Sequence, residues 1–295
     1  MEFLKYQHIE RFGTSEVEGI ELGTCYVFPK IDGTNSQVWI DENGQIKAGS
    51  RNRELTLDND NSGFYAEILK DKNIKQLLID MPTLRIYGEF LVPHTLKTYH
   101  KDAWKKFYVF DVMIQDKYLH YSSYSEILNA YGIEYIPPIC VSKNPSYEQL
   151  INQLDKATYL IDDGKGAGEG IVIKNYDFVN KYGRVTWAKI VTNEFKTKKQ
   201  KCDTTELKGA KMVEEEIALK YVTDVLVEKE YSKIVNDNNG WSSKNIPQLL
   251  NTVYYCIIKE ELWDALKTFK SPTINFKTLQ HFITSQIKVV KSDLF

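Results

Sequence analysis

Thr24-Cys25-Tyr26-Val27-Phe28-Pro29-Lys30-Ile31-Asp32-Gly33-Thr34-Asn35 is the stretch on which the reading of this chain turns. Cys25 to Phe28 is a β-branched and aromatic run of the kind that forms a buried strand. Pro29 removes a ladder donor, Asp32-Gly33 predicts a tight turn, and Ser36-Gln37-Val38-Trp39-Ile40 alternates away as a second strand. A lysine therefore stands where a strand breaks, with a carboxylate two residues on. Such a lysine can be a nucleophile if a dry pocket or a nearby cation keeps part of it unprotonated. It can equally decorate a surface hairpin, since Lys-x-Asp-Gly arises by chance in roughly one chain of this length in ten.

Working outward, the 295 residues allow one large domain or two of ordinary size. Hydrophobic content of 42% and charged content of 26% are those of a globular protein, and 19 Tyr and 13 Phe against 8 Pro argue against disorder. No apolar run reaches membrane-spanning length, and Met1-Glu2-Phe3-Leu4-Lys5-Tyr6 lacks the apolar core of a signal peptide, so no membrane partner is expected. Cys25, Cys140, Cys202 and Cys256 are far apart, which fits reduced thiols in a cytoplasm and excludes a four-cysteine zinc ribbon. The net charge of −2 neither demands nor forbids nucleic acid, but Lys196 to Lys211 holds six lysines against two acids. Such a run is either a solvated linker or a phosphate contact.

Up to about Val191 the chain reads as strand-rich. Tyr26 to Ile40 and Gln45 to Arg51 predict a hairpin pair joined by Asp41-Glu42-Asn43-Gly44. Ala66 to Ile79 has helical spacing, Leu84 to Val92 and Lys106 to Ile114 predict strands, and Tyr124 to Tyr131 a short helix capped by Ser123. Tyr147 to Leu154 predicts another helix behind Ser146, and Gly170 to Lys174 and Arg184 to Val191 the last strands. Beyond the basic run the texture is helical: Glu206 to Lys229, Pro247 to Phe269 and Phe276 to Val290. The expected domains are 1–200 and a helical 201–295.

Six further features stand out, five of them carrying charge where burial makes it costly. They are the Thr34-Asn35 pair, Gly49-Ser50-Arg51, Tyr87-Gly88-Glu89-Phe90, Phe107-Tyr108-Val109-Phe110-Asp111-Val112, Glu169-Gly170-Ile171-Val172-Ile173-Lys174 and Trp187-Ala188-Lys189-Ile190-Val191. Each has a bland explanation: Glu89 could pair with Arg85, Phe110 could be core, Lys174 could end a strand in water, and Lys189 could snorkel.

In this order and spacing the stretches resemble the covalent nucleotidyltransferases, the superfamily of ATP-dependent polynucleotide ligases and mRNA capping enzymes. The resemblance covers roughly residues 1–200. Phe3 to Glu10 and the asparagine of Lys30-x-Asp32-Gly33-x-Asn35 are most similar to the bacteriophage RNA ligase 2 and RNA-editing ligase group. A helical C-terminal region agrees with that group, where DNA ligases and capping enzymes carry a β-barrel. There is one departure. The group's last motif commonly has two alternating lysines, whereas Lys189 is flanked two residues away by Trp187 and Val191.

The resemblance implies an α+β fold, with a nucleotidyltransferase domain of antiparallel sheets flanked by helices and then a small all-α domain. It implies an RNA ligase that seals 3′-OH and 5′-phosphate ends through lysyl-AMP and AMP-capped RNA, the alternative being a DNA ligase or capping guanylyltransferase. Lys30 would carry AMP, with Glu169 and Lys189 catalytic. Glu89 would bind ribose, Phe110 adenine, and Lys174 and Lys189 phosphate, Lys174 being a stand-in for the absent second lysine. Arg51 would contact the RNA 5′-phosphate. Glu169, Asp32 and Asn35 would hold Mg²⁺, which Mn²⁺ could replace. Expected partners are ATP and RNA, as a nicked duplex or an RNA/DNA hybrid, acted on by a monomer in the cytoplasm (a host cytoplasm, for a phage protein).

Overall fold

The break after Lys30 is a change of sheet, so the surface hairpin that is the bland reading of this turn does not form, whereas the hairpin expected across Asp41 to Gly44 does. In the computed structural model, which describes residues 1–93, 96–191 and 212–295, β1 (Glu10–Arg11) and β2 (Thr24–Lys30) lie in one sheet and β3 (Thr34–Ile40) in another. The second sheet continues with β4 (Ile46–Ser50), β5 (Leu84–Phe90), β6 (Phe107–Ile114) and β7 (Lys117–Tyr118), in the order β4-β3-β5-β6-β7. The first sheet recruits β8 (Cys140–Lys143), β9 (Gly170–Lys174) and β10 (Ala188–Val191), in the order β1-β10-β9-β2-β8. Every pairing is antiparallel except β1 with β10. The β3–β4 hairpin, closed by Asp41 and Gln45, pairs Ile40 with Ile46.

Alternation along the strands builds three apolar layers. Val38, Ile86, Phe90, Val109 and Val112 form the outer face of the second sheet under three helices, α1 (Phe64–Ile68), α2 (Lys72–Asp80) and α3 (Tyr121–Ala130). From α2, Ile74, Leu77 and Leu78 are buried there, each contributing about 1.5–3 kcal/mol. Cys25, Val27, Ile171, Ile173 and Ile190 form the outer layer of the first sheet, with Leu150 from α4 (Tyr147–Ile151). Phe28, Tyr87, Tyr108, Val172 and Trp187 fill the space between the sheets. The remaining positions on these inner faces make the cleft described below.

Several local expectations shift for visible reasons. The predicted helix over 66–79 is two helices, because the Asp71 side chain accepts from Asn73 N and Ile74 N and starts a new one. The third helix begins earlier, at Tyr121, with the His120 ring rather than Ser123 accepting from Ser122 N. The capping box of Ser146 and Gln149 forms, and the last strand is confined to Ala188–Val191.

The chain divides into two compact units, Met1–Thr192 and Asn193–Phe295. In the second, α5 (Val213–Tyr221), α6 (Asp224–Asp237), α7 (Ile246–Glu260), α8 (Leu262–Thr268) and α9 (Phe276–Val290) enclose a core of Ile217, Val227, Leu249, Val253, Ile283 and Ile287. Thr223 accepts from Leu226 N and splits the first predicted helix, and Pro247 sits in the first turn of α7. The expected boundary at 200/201 and the basic run Lys196 to Lys211 lie outside the described residues. No described helix is long and apolar enough to cross a membrane.

Candidate active site

Lys30 is the last residue of β2 and pairs with Gly170, the first of β9. A side chain at Gly170 is barred twice: its φ is +156°, and a Cβ would lie 2.2 Å from the Ile190 carbonyl oxygen. With glycine there the strands close up, and Glu169 is brought beside Lys30 so that Lys30 Nζ donates to Glu169 Oε2. Residues two apart share a face, so Lys30 and Phe28 of β2 look the same way as Val172 and Lys174 of β9. Lys189 joins them from β10 through its pairing with Val172.

The opposite wall comes from the second sheet. Asn35 on β3 pairs with Glu89 on β5, and Glu89 Oε1 accepts from Gly33 N at 3.1 Å. Gly33 has no room for a side chain, since a Cβ would stand 2.7 Å from the Phe90 carbonyl oxygen and 2.8 Å from Glu89 Cγ. Asp32 is buried; its amide donates to Tyr99 Oη at 2.8 Å, and its Oδ2 accepts from Leu96 N at 3.0 Å. Burial pushes the Glu89 carboxyl up to about 7. The Lys30 cation and the Gly33 amide oppose this, and the Glu169 and Asp32 carboxylates reinforce it. Glu89 does not pair with Arg85, whose guanidinium instead donates to Gln37 Oε1 at 2.9 Å and stacks on Trp39.

One lysine, three carboxylates and Asn35 thus converge between the sheets. Asn35 Oδ1 is buried and has no hydrogen-bond partner. Among the described residues no three acid, His or Cys side chains approach closely enough to ligate a bare ion. An unmet amide oxygen beside spaced carboxylates fits a hydrated divalent cation, which keeps most of its waters.

At the other end of the cleft lie Phe110 and Lys174. The β5–β6 register slips between Tyr87, which faces Asp111, and Gly88, which faces Val109, and leaves Phe110 as the extra residue of a bulge. The Phe110 ring sits 5.0 Å from that of Tyr6 and is only partly buried. Lys174 is 2% exposed; its Nζ donates to the Phe110 carbonyl oxygen at 2.6 Å and to Asp111 Oδ1 at 2.7 Å, among the rings of Phe28, Phe110 and Trp187. Burial lowers the Lys174 pKa, and Asp111 opposes that. With two of its three protons committed, Lys174 serves the Asp111 pair and the Phe110 carbonyl in this structure. Trp187, one of the two residues that flank Lys189 two positions away, gives its Nε1–H to Asp111 Oδ2 at 3.1 Å. Arg51 is apart from this group, exposed beyond the end of β4, with Nη2 donating to His8 Nδ1 at 3.1 Å.

The structure therefore brings together Lys30, Asp32, Asn35, Glu89 and Glu169. It places Lys189 on the same sheet face as Lys30, and Phe110 and Lys174 further along the cleft. Asp111 was visible in the sequence only as an acid within an apolar strand. Tyr99 left no signal, because nothing local marks a tyrosine whose hydroxyl meets a backbone amide 67 residues away.

No curated protein matches the chain significantly. Among solved structures, an RNA ligase of Naegleria gruberi determined with PPi has 20% identity and a TM-score of 0.51, the match covering 65% of this chain and 57% of that one. An apo mutant of the same enzyme gives 21% identity, a TM-score of 0.51 and the same coverage. At that identity the likeness is one of fold, and it spans little more than half of the Naegleria protein. The family model for RNA ligase matches residues 23–191, more than half of the chain and inclusive of every candidate residue above except Tyr6 and His8. By that match the chain belongs to the RNA ligase family.

Proposed function

We propose that this protein is an ATP-dependent RNA ligase that works through a covalent lysyl-AMP on Lys30. The observation that carries the reading is the Lys30–Glu169 pair in a cleft between two sheets, within the span matched to the family. Lys30 Nζ attacks the α-phosphorus of ATP: a P–N bond forms, the α–β P–O bond breaks, and pyrophosphate leaves. Attack requires the free amine, and Glu169, which accepts a hydrogen bond from Lys30 Nζ, is the group suited to take its proton. An oxygen of an RNA 5′-phosphate then displaces Lys30 from the AMP phosphorus. Finally a 3′-OH attacks the activated 5′-phosphate and AMP departs. Lys189 offers positive charge to the phosphates, Glu89 accepts from the ribose hydroxyls, Phe110 stacks on adenine, and Arg51 meets the RNA 5′-phosphate. Glu169, Asp32 and Asn35 suit a hydrated Mg²⁺ or Mn²⁺, which would neutralise phosphate charge.

We assign the helical unit and the basic run before it to gripping RNA around a nick, the protein acting as a cytoplasmic monomer in RNA repair. The experiment is transfer of α-labelled ATP to the protein. Wild type should gain AMP and lose it to 5′-phosphorylated RNA, and Lys30→Ala should gain none; an adduct on Lys30→Ala overturns the assignment. Nicks of all-DNA, RNA-terminated and all-RNA composition, with ATP or GTP, separate this reading from a DNA ligase or a capping enzyme, since an RNA ligase should require ribose 2′-OH groups at the 3′ side.

A further inference from the structure

The cleft has a second lysine–carboxylate pair, Lys174 and Asp111, to which the proposed reaction assigns no step. Lys174 belongs to the first sheet and Asp111 to the second, so their 2.7 Å contact ties the two walls together. Asp111 is fully buried and is satisfied from three directions, by Lys174 Nζ, by Tyr6 Oη at 2.5 Å and by Trp187 Nε1 at 3.1 Å. The donors come from three distant segments: the chain start, β9 and the approach to β10. The pair also touches the bulge directly. Phe110 has no partner in the β5 ladder, and its carbonyl oxygen instead accepts from Lys174 Nζ at 2.6 Å and from Tyr124 Oη at 3.1 Å. In an unbulged strand, adjacent residues point to opposite faces. Here Phe110 and Asp111 both meet Tyr6, Phe110 by ring contact and Asp111 by hydrogen bond.

We propose that Tyr6, Asp111 and Lys174 are positioning residues that lock the Phe110 bulge, and so hold the stacking ring at the height a purine needs for Lys30 to reach its α-phosphate. This rests on the reading of Phe110 as the adenine platform. None of the three touches the reacting atoms. Their contribution is to bind the base in one pose, so they govern the ATP requirement of lysyl-AMP formation and not its maximal rate.

The test is a double-mutant cycle on the full-length protein, reading KM and kcat for lysyl-AMP formation together with thermal unfolding. Tyr6→Phe deletes only the hydroxyl that Asp111 accepts from and keeps the ring against Phe110, so it avoids stranding a buried charge. We expect it to raise KM for ATP about five- to tenfold at unchanged kcat, the share of a charge-assisted hydrogen bond transmitted to the ring. In a Phe110→Ala background the same change should leave KM unaltered, because the ring it positions is gone. An unchanged KM for Tyr6→Phe, or an equal increment in both backgrounds, overturns the positioning role while leaving the platform intact. Phe110→Ala with a wild-type KM overturns the platform reading and this inference with it.

Discussion

Two lysine–carboxylate pairs occupy the ends of one cleft, and they are built for opposite purposes. Lys30 and Glu169 join neighbouring strands of one sheet, with side chains 22% and 5% exposed. Lys174 and Asp111 join different sheets, at 2% and 0%. The second pair has its remaining valences filled by Tyr6, Trp187 and a backbone carbonyl. The first stands beside a raised Glu89 and an amide oxygen with no partner. Ion pairing alone therefore does not mark a reactive lysine; access and unmet polar neighbours do.

The sharpest way to break this contrast is to make one substitution at both ends. Lys174→Met strands a buried Asp111 carboxylate and should cost about 3–5 kcal/mol in chemical unfolding, much of it recovered by adding Asp111→Asn. Lys30→Met should cost less, because Lys30 is 22% exposed and water reaches the carboxylate it leaves, and yet abolish the AMP adduct. Equal losses of stability would erase the distinction. Next in size is Gly33→Ala, whose methyl would press on the Phe90 carbonyl oxygen and Glu89 Cγ. It should destabilise by about 1–3 kcal/mol and also weaken ATP binding; a change in stability with no change in KM would detach Glu89 from the ribose.

Glu89 gives a smaller, pH-dependent effect. Its carboxyl is pushed up to about 7 in the fold, against about 4.3 in an unfolded chain. The folded state therefore holds the extra proton between those values, and stability falls as pH rises through them. The penalty is complete above about pH 7. In metal-free buffer Glu89→Gln, which keeps an acceptor for Gly33, should gain about 1–2 kcal/mol at pH 8, after allowance for partial exposure, and almost nothing near pH 4.5. A gain independent of pH would mean that the carboxylate is not under strain. Smallest is Arg51→Ala, exposed and outside the cleft group: stability and lysyl-AMP formation should stay within about 0.5 kcal/mol of wild type. AMP transfer to RNA should fall, and a normal transfer rate would remove Arg51 from the 5′-phosphate.

Much of this was legible in the chain because strands announce themselves locally. The runs Cys25 to Phe28, Leu84 to Val92, Lys106 to Ile114 and Gly170 to Lys174 contain or overlap observed strands, and the charges within them mark the cleft. Legibility failed where distant partners decide. Helix bounds shifted for a nearer reason, since Asp71 splits one predicted helix through two capping bonds and Thr223 another through one. The turn after Lys30 has the residues of a hairpin, but the partners of β2 are β8 and β9, both far along the chain, so no local pattern could show the change of sheet.

By itself the sequence determined most of the longer strands and helices and the places where charge stands in apolar runs, Lys30 among them, because period, turn chemistry and misplaced charge are properties of neighbours. Only the tertiary structure decided which lysine is open and which is locked. Lys174 and Lys30 are alike as residues at the ends of apolar strands, and what separates them is burial and the partners that folding delivers. The same holds for Phe110, whose place in the cleft depends on a bulge held by Tyr6, Asp111 and Lys174, a set drawn together from across the unit only when the two sheets close.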